Sequence, residues 1–189
     1  MMDTSTTIER EIKLRYDSVE SARAAVLAAG ATPLLGRRLQ EDALLDTDDE
    51  SLRRRRCVLR IRLENGNSRI TFKGPVQPSL MKMRDEFETI VGDGVLLRRV
   101  FEELGFHVWF RYEKYREEFC HEEVIVAVDE TPVGIFVEIE GSEHGITEMA
   151  RLLGRRPEDY ILDSYRGLFL KWRDAAGISG SDMVFDPAS

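Results

Sequence analysis

The residues best placed to do chemistry are two acidic pairs, Glu9/Glu11 and Glu138/Glu140, and six basic side chains, Lys13, Arg60, Arg62, Lys73, Lys114 and Arg116. Within extended chain, residues two apart share a face. The spacing therefore sets Glu9, Glu11 and Lys13 side by side, and does the same for Arg60 with Arg62, Lys114 with Arg116 and Glu138 with Glu140. Guanidinium and ammonium groups match phosphate oxygens. Carboxylates with water suit Mg²⁺ or Mn²⁺, whereas zinc would ask for thiolate or histidine clusters that this sequence lacks. Together they suit a metal-held triphosphate, with Lys73 and Arg60 as candidates to stabilise the phosphoryl group in transit.

A charged strand taken singly usually turns its polar face to water. Here at least five extended segments carry a charged face opposite a largely apolar one, broken only at positions such as Arg10, Asp85 and Arg111. Helices can cover the apolar layer, which leaves a polar interior as the consistent arrangement. Like charges in a narrow interior repel, and unpaired buried charge is costly. Mixed signs, a triphosphate and divalent cations relieve that cost.

Strict alternation predicts a strand from Ile8 to Tyr16, and a helix follows over Val19–Ala29, closed by Gly30 with Pro33 as a further stop. A short extended piece, Gln40–Asp46, leads into the acidic turn Asp46–Asp49. Asn65-Gly66 marks a hairpin that places Arg60, Arg62, Arg69 and Lys73 on one face. A strand over Met83–Ile90 keeps Arg84, Glu86 and Glu88 in phase, and Gly92–Gly105 reads as helix. Val108–Phe119 is extended, and Val124–Asp129 with Ile135–Gly141 forms a second hairpin turned at Thr131–Gly134. Two helices are expected at Glu143–Leu153 and Pro157–Trp172. The tail from Ala175 to Ser189 has the small, polar composition of a mobile end. The pattern is α+β: an antiparallel β-barrel with peripheral helices.

With 189 residues the chain fits one domain, drawn here as residues 1–173 followed by a tail at 174–189. A formal net charge of −8 argues against nucleic acid as the main partner, because a polyphosphate backbone needs a net positive surface. The polar start lacks a signal pattern and no apolar run approaches a membrane span, so a cytoplasmic protein without membrane attachment is expected. Cys57 and Cys120 allow no disulfide framework. The partner expected is a small triphosphate, and a homodimer is compatible with the sequence.

Glu9-Arg10-Glu11-Ile12-Lys13 resembles the ExExK signature of the CYTH, or triphosphate tunnel metalloenzyme, superfamily, which includes class IV adenylyl cyclases, thiamine triphosphatases and inorganic triphosphatases. The resemblance continues in order through Leu59–Arg62 (LRIR), Thr71–Pro75 (TFKGP), Glu86–Glu88 (EFE), Lys114–Arg116 (KYR), Val126–Glu130 (VAVDE), Val137–Gly141 (VEIEG) and Ser164–Leu168 (SYRGL). It implies an eight-stranded antiparallel tunnel with Lys13, Arg60, Arg62, Lys73, Lys114 and Arg116 on the triphosphate. It implies Glu9, Glu11, Glu138 and Glu140 on the metal, and Glu86, Glu88 and Asp129 as further tunnel acids. Where many relatives carry an aromatic residue before the acidic turn, this sequence has Ala43-Leu44-Leu45.

Three functions are consistent with these residues: a metal-dependent triphosphatase, a class IV adenylyl cyclase, and a non-catalytic polyphosphate-binding module. Retention of both acidic pairs disfavours the module, since bare anion capture is hindered by acids. Absence of a base-reading motif favours hydrolysis of a small or inorganic triphosphate, meaning tripolyphosphate, thiamine triphosphate or a nucleoside triphosphate. Arg53–Arg56 reads as a solvated approach to the tunnel mouth rather than an RNA contact. Phe101, Phe106, Trp109 and Phe110 read as packing, with base stacking as an alternative that no other feature of the sequence supports, and His107, Cys120-His121 and His144 have no partner ligands at metal spacing. Tyr165 reads equally as a packing residue and as a side chain near a tunnel entrance.

Overall fold

The computed structural model describes residues 7–186. Eight antiparallel strands close into a barrel in the order β1-β5-β4-β3-β2-β6-β7-β8. They span Thr7–Tyr16 (β1), Thr32–Thr47 (β2), Val58–Glu64 (β3), Asn67–Lys73 (β4), Lys82–Val91 (β5), Phe106–His121 (β6), Val124–Thr131 (β7) and Gly134–Gly141 (β8). Five helices flank them: Val19–Ala28 (α1), Ser51–Arg54 (α2), Gly94–Glu103 (α3), Glu143–Leu152 (α4) and Tyr165–Ala176 (α5). The α+β barrel expected from alternation is the architecture found.

Turn chemistry fixes the strand register. Asn65 and Gly66 both adopt positive φ, 47° and 75°, the conformation a two-residue turn needs to follow the twist of β3 and β4. Glu64 then pairs with Asn67 and Arg60 with Thr71. Between β7 and β8, the Thr131 hydroxyl donates to the Gly134 carbonyl at 2.7 Å and accepts from Val133 N–H. Serine or aspartate caps start four helices: Ser18, Asp93, Ser142 and Ser164 each accept a backbone N–H of the first turn.

The apolar outer face carries the core. Ile12 and Leu14 of β1, Val126 and Val128 of β7, and Val137 and Ile139 of β8 pack beneath Ala22 and Val26 of α1 and Ile146, Met149 and Ala150 of α4. Leu45, Leu59 and Ile61 are covered by Leu52 of α2 and Leu97 and Phe101 of α3. Each valine, leucine, isoleucine or methionine among them that is fully removed from water contributes roughly 1.5–3 kcal/mol. With the outer face committed to helices, the charged face has only the barrel interior.

Three expectations need correction. β2 runs for 16 residues rather than over Gln40–Asp46, and Pro33 lies inside it, opposite Phe119. Register shifts follow between Pro33 and Leu35 and between Leu35 and Arg38, the irregular pairing in which a strand tolerates a residue without an N–H. The last helix starts at Tyr165, because Pro157–Asp159 forms only a single 3-10 turn. Between them Ile161 exchanges two backbone hydrogen bonds with Lys13 of β1. The tail, up to Asp186, is docked rather than loose. Met183 is buried and exchanges backbone hydrogen bonds with Arg111 and Glu113, Asp182 receives the Arg111 guanidinium, and Phe185 packs on Tyr115. That pairing explains why Arg111 breaks the apolar face of β6.

Candidate functional site: a charged barrel interior

The interior encloses a cavity of about 520 Å³, inside the range typical of small-molecule sites. Twelve basic and seven acidic side chains line it, an excess of five positive charges in a chain whose net charge is −8. Glu9, Glu11, Lys13, Arg60, Arg62, Lys73, Glu86, Glu88, Lys114, Arg116, Glu138 and Glu140 all reach this one cavity. Asp129 is buried behind it, beneath Lys114 and Arg116.

Strand pairing sets the neighbours. Glu11 lies opposite Glu140 and Lys13 opposite Glu138 across β1 and β8, while Glu9 lies opposite Arg84 across β1 and β5. Glu9 accepts from Lys73 at 2.5 Å and from Arg84 at 3.1 Å. Glu11 accepts from Lys13 at 2.8 Å and also from Lys82. Lys13 stands 3.0 Å from Glu138, and Lys73 2.8 Å from Glu86. Arg116 donates two bonds to Asp129, at 2.7 and 2.6 Å, and a third at 2.6 Å to Glu138. Arg62 forks onto Asp42 at 2.9 and 3.1 Å, while Arg60 bonds Thr71 at 3.0 Å and Glu88 at 3.3 Å.

This network of opposite charges shifts the acidity of its members. Burial works against the Glu11 carboxylate, yet Lys13 and Lys82 hold its pKa well below the ordinary range. Burial likewise opposes charge on Glu138, and Lys13, Arg116 and Lys114 outweigh it, so its pKa is also lowered. Lys114 is pushed down to about 8 by burial and by neighbouring Arg116, and Lys82 falls to about 8 through burial with Lys13 and Arg84 nearby. Glu140 behaves oppositely. Burial, then the charges of Glu9 and Glu138, raise its carboxyl to about 7.

Among the described residues Glu140 alone of the four paired acids has no ion-pair partner. Its crowding by Glu9, Glu138 and Glu11, against which only Lys73 acts, has the chemistry of a hard divalent-cation site. The donor set thus fits Mg²⁺ or Mn²⁺. The acids are not gathered, however: no group of three or more of them converges on one point among the described residues, because Lys13, Lys73 and Lys82 stand between them.

Several interior residues escaped the sequence reading. Lys82 lies one position outside the strand predicted from Met83, although it is in phase with Arg84, Glu86 and Glu88. Arg84 was on the predicted face but carried no role. Asp42, fully buried at its side chain, shares the phase of Gln40 and Leu44, which an alternation count through β2 would have caught. Tyr165 closes one side of the interior: its ring meets those of Tyr112 and Phe136, Lys13 and Lys114 lie 5.0 and 4.7 Å from its centre, and its hydroxyl donates to Asp129. It is at once a packing residue and a wall of the cavity. Leu44 lines the cavity at the position noted for lacking an aromatic.

At the mouth the aromatic residues separate into two groups. Phe101 and Phe106 pack edge to face outside the barrel, whereas Trp109 lines the cavity. Arg53 of α2 and Arg166 of α5 lie 4.5 and 4.8 Å from its ring centre. Arg53 and Arg56 also line the cavity, in agreement with an approach to the tunnel mouth.

A family profile described as CYTH domain matches residues 7–165. A protein of Methanocaldococcus jannaschii named as a candidate adenylate cyclase is 31% identical over 147 residues, covering 77% of this chain and 83% of that one. A Pyrococcus horikoshii structure superposes with a TM-score of 0.71 at 26% identity, covering 85% and 98% of the two chains. A Hippeastrum structure, described as a candidate adenylyl cyclase with a dominant triphosphatase activity, superposes with a TM-score of 0.62 at 20% identity, covering 92% and 97%. No helix among the described residues is long and apolar enough to cross a membrane.

Proposed function

The chain belongs to the CYTH domain family, and from that premise we propose that it hydrolyses a small triphosphate, releasing orthophosphate, with Mg²⁺ or Mn²⁺ held by Glu9, Glu11, Glu138 and Glu140. The observation that carries this reading is a positive cavity inside a negative protein, in which the bases deep in the barrel, from Lys13 and Lys73 to Arg62 and Arg116, rest against acids. A triphosphate offers those bases better acceptors. On its entry Lys73 and Arg116 turn from carboxylate to phosphate oxygen, and the released carboxylates become available to a cation. When bound, that cation would offset phosphate charge and polarise phosphorus.

Lys13, Arg62, Lys114 and Arg116 hold the phosphate chain, while Arg60 and Lys73 sit where they can follow charge onto the departing oxygen. Asp129 keeps Lys114 and Arg116 aimed inward, since it bonds both. Attack by water needs no group that recognises a nucleoside. Cyclisation of ATP would use the same holding groups but must also align the ribose hydroxyl with the α-phosphorus. Both reactions appear among the names of the relatives, so products must decide. With Mg²⁺ or Mn²⁺, tripolyphosphate should yield orthophosphate and pyrophosphate, and chelator should abolish this. Cyclic AMP as the dominant product from ATP, with tripolyphosphate intact, would establish the cyclase instead, and tight binding without turnover of either would leave a binding module.

A further inference from the structure

The tunnel mouth differs chemically from the interior. Inside, each base is paired with an acid, but at the mouth Arg166 has no acidic ion-pair partner among the described residues, and its guanidinium lies over the indole of Trp109. Burial, and then the charges of Arg53 and Arg173, lower its pKa. Arg53, by contrast, is anchored: it bonds Asp46 at 3.1 Å and Glu50 at 3.1 Å. Leu44 and Val58 share an apolar cluster with Trp109, and Cys57 lines the same cavity. Ser164 begins α5 there, so the helix directs its positive end at the same place.

An indole face covered by a loosely held cation, in an apolar cluster and at the open end of a phosphate-binding channel, is built for a planar group. The surrounding positive charge discriminates further: it repels a cationic ring such as thiazolium and admits a neutral one. We infer that Trp109 is the platform for the head group of the substrate, that this group is a neutral heteroaromatic base, and hence that the natural triphosphate is a nucleoside triphosphate rather than thiamine triphosphate or bare tripolyphosphate. Arg166 covers the platform in the free protein and swings onto the entering nucleotide. This narrows the proposed function and rests on its triphosphate-binding interior.

Two tryptophans are present, so replacing Trp172 by phenylalanine makes Trp109 the sole tryptophan, whose emission is read under excitation that spares the tyrosines. In that background ATP should quench the emission strongly, with thiamine triphosphate and tripolyphosphate having little effect. Trp109→Ala should raise the ratio of the ATP KM to the tripolyphosphate KM by about tenfold or more, the scale of one lost base stack, and Trp109→Phe should restore most of it. Equal changes for both substrates would reduce Trp109 to a structural residue and overturn the inference, as would equal quenching by thiamine triphosphate. Cleavage of tripolyphosphate without quenching by ATP would remove the inference and leave the hydrolase intact. Quenching by ATP with no orthophosphate released would do the reverse.

Discussion

Asp42 illustrates how a buried charge can serve a site without touching its ligand. Its carboxylate is sealed from solvent, forks with Arg62 and lies 3.5 Å from Arg60 Nε. Removing it leaves two buried guanidiniums without their counter-charge, and breaking a buried pair in this way costs roughly 3–5 kcal/mol. Asp42→Ala should therefore lower the melting temperature of the free protein substantially. Tripolyphosphate should recover more stability in this variant than in the parent, since the phosphate chain supplies the missing negative charge to Arg60 and Arg62. A denaturation series with and without tripolyphosphate reads both effects, and equal stabilisation of the two proteins would show that these arginines do not face the ligand. Arg62→Ala should in turn weaken tripolyphosphate binding by about 1.5–3 kcal/mol, the scale of a hydrogen bond to a charged group, as calorimetry would measure.

At the scale of elements, the four-residue α2 is held less by its own hydrogen bonds than by Asp46, which accepts from the backbone of Thr47, Leu52 and Arg53 and from the Arg53 guanidinium. Burial opposes the charge on Asp46, but these donors overcome it and lower its pKa from the ordinary aspartate value. The stabilisation is thus fully present above the ordinary carboxylate range and is lost as pH falls through the lowered value. Asp46→Asn should cost about 1–3 kcal/mol at neutral pH, and the gap from the parent should shrink steadily below about pH 4. A gap independent of pH in urea melts would refute the carboxylate's role. Legibility follows the same physics. Where one face is buried and one lines the cavity, as in β1, β3, β4 and β8, alternation exposed both the strand and its inward residues. The first half of β2 lies in an exposed ribbon with β6, so no hydrophobic period marks it, and Pro33 and Gly36 read as punctuation although bulges accommodate them. The late start of α5 was equally hidden, since only tertiary pairing of Ile161 with Lys13 keeps 160–164 extended. Residue types alone could not place Trp109 in the cavity and Phe101 outside it, because that depends on which helix covers which strand.

A closed barrel has no free edge only if every strand is paired along its length, and two of the stretches that lack a neighbouring strand here lie on β6 and β1. β7 reaches β6 only from Tyr115 onward, and β5 reaches β1 only up to Glu11. The chain after β8 covers both gaps: Ile161 lies on Lys13, and Met183 lies between Arg111 and Glu113. Exposed edges of this kind invite pairing with other chains, so the C-terminal segment completes the tunnel wall as well as packing α5 over its end. Met183 is central to this, with its side chain buried among Phe110, Tyr112, Phe136, Tyr165, Leu168 and Phe169. Met183→Ala should lower the free energy of unfolding by about 2–5 kcal/mol, the usual range for a buried methionine. Deleting residues 178–189 should cost at least as much and should also promote association, because the edge of β6 is then bare. Urea denaturation of the point variant and light scattering of the deletion test the two parts separately. A stability change within about 0.5 kcal/mol, the range of ordinary surface substitutions, together with a monodisperse deletion variant, would mean that the barrel wall stands without its tail.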